Sequence, residues 1–116
     1  MDVNEYVKLA ARTNAPLDSD DENIHMILGM LTEVGELADV FKKNMAYNKP
    51  IDWVNVEEEL GDLLWYVACF CDMNTLDLEN IMKKNINKLR VRYPEKFTEE
   101  KAKNRDLKTE RKLLED

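Results

Sequence analysis

Two pairs of carboxylates stand out in this sequence, because their spacing places each pair on one side of a helix. Glu33 and Glu36 are three residues apart, and Glu59 and Asp62 repeat that spacing further along the chain. Residues at i and i+3 are separated by only about 60° around a helix axis. If the two faces meet, four carboxylates converge, and two such charges about 6 Å apart repel by about 3 kcal/mol at an effective dielectric of about 20. A divalent cation removes that repulsion, and hard carboxylate oxygens suit Mg²⁺ or Mn²⁺.

Asp62 is the most informative of these acids because its neighbours are apolar. It lies beside Leu60, Leu63 and Leu64, and no Lys or Arg occurs between Ile51 and Met82. An uncompensated acid in such surroundings is costly, which favours a bound cation. The alternative is that both pairs merely solvate two amphipathic helices, as acids on helix faces commonly do. A carboxylate-bridged di-iron bundle is disfavoured, because it needs Glu-x-x-His on two helices and this chain has a single His.

Length, charge and cysteine usage limit the classes of protein that remain. The chain has 116 residues and a net charge of −7, which predicts one domain over residues 1–116 and argues against binding polymeric nucleic acid. No apolar run is long enough to span a membrane, and the N-terminus does not resemble a signal peptide. Cys69 and Cys71 point about 200° apart on a helix, so they are expected to be buried thiols of a cytoplasmic protein.

Apolar periodicity predicts the elements that carry these acids. Helices are expected over residues 2–12, 22–45, from a cap at Asp52 or Asn55 to residue 72, and from a cap at Thr75 or Asp77 to residue 92. The charged tail, residues 97–116, is expected to begin with a turn capped by Thr98 and to be partly helical. The sequence thus predicts an all-α antiparallel bundle of four to five helices with its core over about residues 22–94, completed by oligomerisation.

The same periodicity predicts which faces point inward. On the second helix the expected core stripe is Ile24, Ile27, Leu28, Leu31, Val34 or Gly35, Ala38, Phe41 and Met45. On the fourth helix it is Leu78, Ile81, Met82, Ile86, Leu89 and Tyr93. Residues 63–71 are apolar on nearly every side and should be the most buried segment. Trp65, Phe70 and Met73 add apolar surface beyond one stripe, which favours association.

Three segments in this order resemble the MazG-like family of all-α nucleoside triphosphate pyrophosphohydrolases. The segments are Glu33-Val34-Gly35-Glu36-Leu37-Ala38-Asp39, then Glu58-Glu59-Leu60-Gly61-Asp62-Leu63-Leu64-Trp65-Tyr66, then Asn85-Ile86-Asn87-Lys88-Leu89 with Arg92-Tyr93-Pro94-Glu95-Lys96-Phe97. They match that family's E-E-x-x-E, E-x-x-D and asparagine–lysine–Arg-Tyr-Pro patterns. One departure is Thr32, which stands where the first acid of E-E-x-x-E is expected and resembles the relatives that cleave pyrimidine deoxynucleotides.

The resemblance implies an activity and roles for the acids. It implies that Mg²⁺, or Mn²⁺, is held by Glu33, Glu36, Glu59 and Asp62 and binds a nucleoside or deoxynucleoside triphosphate. Hydrolysis between the α and β phosphates would give a monophosphate and pyrophosphate, in a house-cleaning or nucleotide-pool role. A carboxylate must accept the proton of the attacking water, and Glu36 is the first candidate, followed by Glu33. The family's assemblies imply a homodimer or homotetramer.

Further residues are candidates for binding the substrate. Lys43, two turns beyond Glu36, and Asn85, Lys88 and Arg92 on the fourth helix could contact phosphates. For the base, the candidates are Tyr66, one turn after Asp62, Trp53 in the preceding loop, and His25, near the face of Glu33. Two non-catalytic alternatives remain, namely a helical adaptor with solvated acids and a bundle that stores or senses metal.

Overall fold

The computed structural model describes residues 1–15, 17 and 21–116, and within them the chain forms helices and no strand. The helices are α1 (Val3–Ala11), α2 (Glu22–Tyr47), α3 (Trp53–Met73), α4 (Leu78–Arg92), α5 (Glu99–Lys103) and α6 (Leu107–Glu115). This confirms the all-α prediction. The charged tail contains two short helices, so the described residues hold six helices rather than four or five. Pro16 and residues 18–20 lie outside the described residues.

Side-chain caps explain where most of the helices begin. Asp52 and Asp77 accept hydrogen bonds from the backbone N–H groups three residues on, as do Asp2, Thr98 and Asp106. These contacts select Asp52 over Asn55 and Asp77 over Thr75 as caps. Thr75 instead adopts a left-handed backbone conformation, with φ 56°, in the turn between α3 and α4. At the other end of α2, Asn48 takes the left-handed position with φ 54° and ends the helix.

Residues Met1–Leu76 form one compact unit in which α3 packs against both α1 and α2. The short connection between α2 and α3 makes these two helices antiparallel neighbours. The core centres on Ala10, Met26, Ala68 and Cys69, with partly buried aromatic and aliphatic side chains around them. Of residues 63–71, predicted to be the most buried segment, Ala68, Cys69 and Cys71 are buried, but Leu64 is 55% exposed, so the prediction is wrong for the first part of the segment. Both cysteines are buried free thiols, as predicted.

The predicted inward stripe of α2 is wrong. Most of its residues are exposed, for instance Ile24 at 59% and Leu31 at 66%, while Met26 and Gly29 are buried on another face. That face lies about a third of a turn away around the helix. The reason is that α3 packs against the side of α2 that carries Glu33, which leaves the wider apolar stripe uncovered. We call this exposed set the α2 stripe: Ile24, Ile27, Leu28, Leu31, Val34, Ala38, Phe41 and Met45.

Trp65, Phe70 and Met73, predicted to add apolar surface beyond one stripe, are half-buried and pack within the unit. All three lie against the core cluster. The Trp65 indole Nε1 donates to Thr13 Oγ1 at 2.7 Å, and Asn14 Nδ2 lies 3.7 Å from Met73 Sδ. The segment that follows α1 therefore contacts Trp65 and Met73.

Residues Asp77–Asp116 form a second compact unit in which α4 packs against α6. Leu78, Leu89 and Tyr93 are half-buried, but Ile81, Met82 and Ile86 are exposed, so the predicted inward stripe of α4 is wrong for those three. Glu110 on α6 is buried and binds both Arg92, at 2.9 Å, and Arg105, at 2.8 Å. These charge-assisted contacts lower the pKa of Glu110 to about 2. In the described residues, no helix has the length and apolar composition needed to cross a membrane.

Candidate metal centre and the adjoining groove

The predicted acids of α2 and α3 converge. Glu33, Glu59 and Asp62 each offer a carboxylate oxygen, and these oxygens lie within 4.8 Å of one another. Glu59 is only 6% exposed, Glu33 is half-buried, and Asp62 is exposed. The i, i+3 spacing on two antiparallel neighbours produces this arrangement, since it keeps each pair on the side facing the other helix. We call these three residues the acid cluster.

Two oxygens of the acid cluster lack a hydrogen-bond donor. Oε2 of Glu33 and Oε2 of Glu59 are buried and have no partner among the described residues. Buried polar atoms in folded proteins almost always have one, and an unpaired carboxylate oxygen is especially costly. A divalent cation with oxygen ligands would satisfy both atoms, so the donor set fits Mg²⁺ or Mn²⁺.

Glu36 is linked to the acid cluster but is more exposed than its neighbours. The neighbouring Glu59 carboxylate raises the pKa of Glu36, and the neighbouring Glu33 carboxylate raises the pKa of Glu59. Close carboxylates share protons because they cannot all ionise cheaply. Glu36 therefore extends the line of acids from the buried cluster to the surface, where a solvent molecule can reach it.

A groove of about 730 Å³ opens beside Glu36, between α2, α3 and the segment that joins them. That size lies in the range of small-molecule sites. Its lining residues are Thr32, Gly35, Glu36, Asp39, Val40, Lys43, Lys49, Pro50, Asp52, Asn55 and Glu59. Glu36 and Glu59 of the predicted centre lie along one part of the groove. Lys43 and Lys49 lie towards the α2–α3 connection. We call this feature the α2–α3 groove.

Lys43 lines the groove as predicted, in an ion pair. Its ammonium lies 2.8 Å from Asp39, which also binds Lys42 at 3.3 Å. The contact with Asp39 raises the pKa of Lys43. Lys49 and Asn55 line the same groove and were not predicted from the sequence. The signal that could have found them is their placement just after the end of α2 and just after the cap of α3, where an antiparallel pair brings both segments together.

His25 and Tyr66 lie together at the N-terminal part of α2. Their rings meet edge to face with centroids 6.5 Å apart, and Trp65 contacts Tyr66 in the same manner at 5.0 Å. The Tyr66 ring packs directly on Gly29, where a Cβ atom would overlap with it. Gly29 is four residues before Glu33, so this aromatic pair lies about 6 Å along α2 from the acid cluster.

Trp53 is not in this arrangement. Its ring packs edge to face against Phe41 of the α2 stripe, with centroids 6.2 Å apart, and it is 62% exposed. It is not among the residues that line the α2–α3 groove. Trp53, the first residue of α3, extends the exposed apolar surface by one aromatic ring, and a contact between Trp53 and a base stays a prediction.

Asn85, Lys88 and Arg92 belong to α4 in the second unit. Asn85 is exposed and Lys88 is half-buried, three residues further along the same helix. Arg92 is engaged by Glu110 through two hydrogen bonds, from Nε at 2.9 Å and from NH2 at 3.4 Å. This contact gives Arg92 a structural role in joining α4 to α6.

Comparisons with known proteins agree with the pattern of acids. The sequence model of the MazG nucleotide pyrophosphohydrolase domain matches residues 21–97, which include the acid cluster and α4. A curated relative, the Gene 37 protein of Mycobacterium phage L5, is 29% identical over 79 residues, covering 65% of this chain and 69% of the phage protein. No solved structure matches the chain.

Proposed function

Since the chain belongs to the MazG nucleotide pyrophosphohydrolase family, we propose that it hydrolyses a nucleoside or deoxynucleoside triphosphate to the monophosphate and pyrophosphate. The observation that carries the proposal is the pair of buried, unpartnered oxygens of Glu33 and Glu59 beside a groove of nucleotide size. A solvated acidic helix surface would leave its carboxylate oxygens in water, where they need no partner.

Glu33, Glu59 and Asp62 are proposed to hold Mg²⁺, with Glu36 as a fourth ligand, and Mn²⁺ is expected to replace it. A bound divalent cation would neutralise charge on the phosphate oxygens of the substrate. Thr32, at the departure from the family pattern, is not among these ligands, and its hydroxyl donates to the backbone carbonyl of Gly29 at 3.0 Å.

Glu36 is proposed to act as the general base, with Glu33 as the second candidate. The carboxylate accepts a proton from water while the water oxygen forms a bond to the α-phosphorus. The bond from that phosphorus to the oxygen bridging the α and β phosphates breaks, and the bridging oxygen keeps the electron pair. Pyrophosphate then leaves, and the monophosphate carries the new oxygen. The exposure of Glu36 beside the acid cluster supports this assignment.

His25 and Tyr66 are proposed to contact the base, and Lys43 to contact phosphate. Asn85 and Lys88 are proposed as further nucleotide contacts on the basis of the family pattern. Arg92 is proposed to stabilise the second unit instead, because Glu110 already binds it. The family match covers residues 21–97 and so includes parts of both units, which supports one functional domain over residues 1–116.

A homodimer or homotetramer is proposed, with the α2 stripe as the contact surface. A continuous apolar face along a long helix is unusual on a monomer and typical of the buried part of a homodimer interface. The buried free thiols support a cytoplasmic location, and the net charge of −7 disfavours polymeric nucleic acid as a partner.

A panel of canonical and modified nucleotides, incubated with Mg²⁺ or Mn²⁺, tests the proposal by release of pyrophosphate. We expect release from at least one nucleotide, and a loss of about 100-fold or more in kcat for Glu36→Gln. Glu57→Gln is the matched control, since Glu57 is an exposed acid of the same helix outside the acid cluster. If no nucleotide in the panel releases pyrophosphate, the adaptor alternative replaces the hydrolase.

A further inference from the structure

We propose that Lys49 forms a pyrophosphate subsite at the end of the α2–α3 groove nearest the α2–α3 connection, so that the triphosphate chain points away from Tyr66. This inference rests on the proposed function and adds the direction in which the substrate lies. Its evidence is the position of Lys49, its free charge and the order of side chains along α2.

The backbone at Lys49 is held by the end of α2. Asn48 takes the left-handed conformation that terminates the helix, and the Lys49 N–H then donates to the Lys43 carbonyl at 3.4 Å. The half-buried Asn44 side chain donates from Nδ2 to the Lys49 carbonyl at 2.7 Å. Lys49, which lines the groove, is therefore fixed at its backbone by two hydrogen bonds.

The charge of Lys49 is available to a ligand. Lys43 is already paired with Asp39, at 2.8 Å. By contrast, within the part of the chain that the structure describes, the Lys49 ammonium has no ion-pair partner. The nearby Asp52 carboxylate accepts the backbone N–H of Asn55 at 3.2 Å, as the cap of α3. Lys49 is thus the lysine of the groove whose charge is not yet used.

The order of side chains along α2 gives the direction. His25 and Gly29, which carry the aromatic pair with Tyr66, come first, then Glu33 and Glu36, then Lys43. All five project within the same half of the helix circumference, and Glu36 lies about 10 Å from Gly29 and about 10 Å from Lys43 along the axis. A base beside Tyr66 and an α-phosphate at the acids place the β and γ phosphates at the lysine end.

The helix of α3 adds to this end of the groove. Asn55, the third residue of α3, lines the groove, and its half-buried side-chain amide can donate a hydrogen bond to a phosphate oxygen. The backbone N–H of Asn55 is already bound by the Asp52 carboxylate, so the side-chain amide is the donor that Asn55 can offer. This amide supports the ammonium of Lys49, which supplies the full charge.

Inhibition by the two products tests the direction of binding. For Lys49→Gln we expect pyrophosphate to inhibit hydrolysis about tenfold or more weakly than in the wild type, with KM for the triphosphate raised similarly. Inhibition by the nucleoside monophosphate should stay within about twofold. Lys49→Arg should retain most of the pyrophosphate affinity because the charge is kept. Lys8→Gln, an exposed lysine of α1, is the matched control and should behave as the wild type.

Titration calorimetry with inorganic pyrophosphate and Mg²⁺ gives a readout that does not need turnover. Equal pyrophosphate affinity in the wild type and Lys49→Gln would overturn the subsite while leaving the hydrolase intact. Weaker monophosphate binding in place of weaker pyrophosphate binding would reverse the direction. If the wild type hydrolyses no nucleotide, the proposed function fails, and the calorimetric comparison still decides whether Lys49 binds pyrophosphate.

Discussion

The ring of Tyr66 occupies the space that a side chain at Gly29 would fill. Gly29 is buried in the middle of α2, where alanine would ordinarily stabilise a helix by about 0.5–1 kcal/mol. At this position the added methyl group overlaps with Cδ1 and Cε1 of Tyr66, so the ring must move. We expect Gly29→Ala to lower the free energy of unfolding by about 1–3 kcal/mol, measured by thermal unfolding, and to raise KM for the nucleotide because Tyr66 is displaced.

Gly61→Ala is the control for this substitution. Gly61 lies within α3, and a Cβ atom there meets nothing within 4 Å. Its replacement should stabilise the protein by the ordinary helix propensity, up to about 1 kcal/mol. Equal effects of the two alanines would show that the contact between Tyr66 and Gly29 does not shape the site.

Replacing Glu59 should abolish the stabilisation of the fold by Mg²⁺. In the metal-free protein Glu59→Gln is expected to raise the melting temperature, because it relieves repulsion within the acid cluster and the amide can donate to Glu33. Mg²⁺ at 100 times its Kd should stabilise the wild type by about 2.7 kcal/mol and should have little effect on this variant. Glu57→Gln, on the exposed side of α3, should respond to Mg²⁺ as the wild type does. A full response of Glu59→Gln would place the metal elsewhere.

Stability should fall in acid because of Glu110. Its pKa is about 2 in the fold, below the ordinary value of 4.5. The contribution of its charge is therefore complete above about pH 4.5 and is lost as the pH falls towards 2. Circular dichroism melts between pH 7 and pH 3 should show this decline in the wild type and a weaker one in Glu110→Gln, whose melting temperature at pH 7 should be lower by about 5 °C or more.

The control for Glu110 is Glu115→Gln in the same helix. Glu115 pairs with Arg111 at 2.7 Å, but both side chains are largely exposed, so this contact is screened by water. Its loss should leave the melting temperature nearly unchanged at either pH. A comparable fall in the melting temperature of both variants would mean that the buried contacts of Glu110 stabilise the protein no more than the exposed pair of Glu115 and Arg111.

A charge on the α2 stripe should break the assembly. Leu31 is 66% exposed, so Leu31→Glu has little cost within one chain but places a carboxylate in the proposed interface. Size-exclusion chromatography with light scattering should give the mass of a single chain for this variant and of a dimer or tetramer for the wild type. Leu107→Glu, 62% exposed on α6, should keep the wild-type mass. A wild type with the mass of a single chain would rule out the proposed homodimer or homotetramer.

The placement of each acid pair on one side of its helix could be predicted from the sequence, because the helical period alone determines it. Glu33 and Glu59 converge once α2 and α3 pack with those faces together. The apolar sequence neighbours of Asp62 did not predict its burial, since Asp62 is exposed and Glu59 is the buried acid of α3. Helix caps such as Asp52 were predictable for a similar reason, since they depend only on contacts three residues away.

The orientation of α2 was not predictable from hydrophobicity. Its widest apolar face is the α2 stripe, yet the face that packs on α3 is narrower and contains Gly29 and Glu33. Periodicity measures how apolar a face is and does not say which surface covers it. Lys49 was missed for a related reason, because its position depends on the left-handed turn at Asn48 and on Asn44.

The pair of α2 and α3 is fastened at both ends. At one end the side-chain amides of Asn23 and Asn74 exchange two hydrogen bonds, of 3.0 and 2.7 Å, and at the other Asn44 holds the connection through Lys49. A residue inserted between Asn23 and Glu33 would turn the carboxylate by about 100° and shift it by about 1.5 Å relative to the fastened end. The number of residues in α2 and α3 is therefore expected to matter to the acid cluster as much as the identity of the acids. Natural insertions should occur outside these two helices.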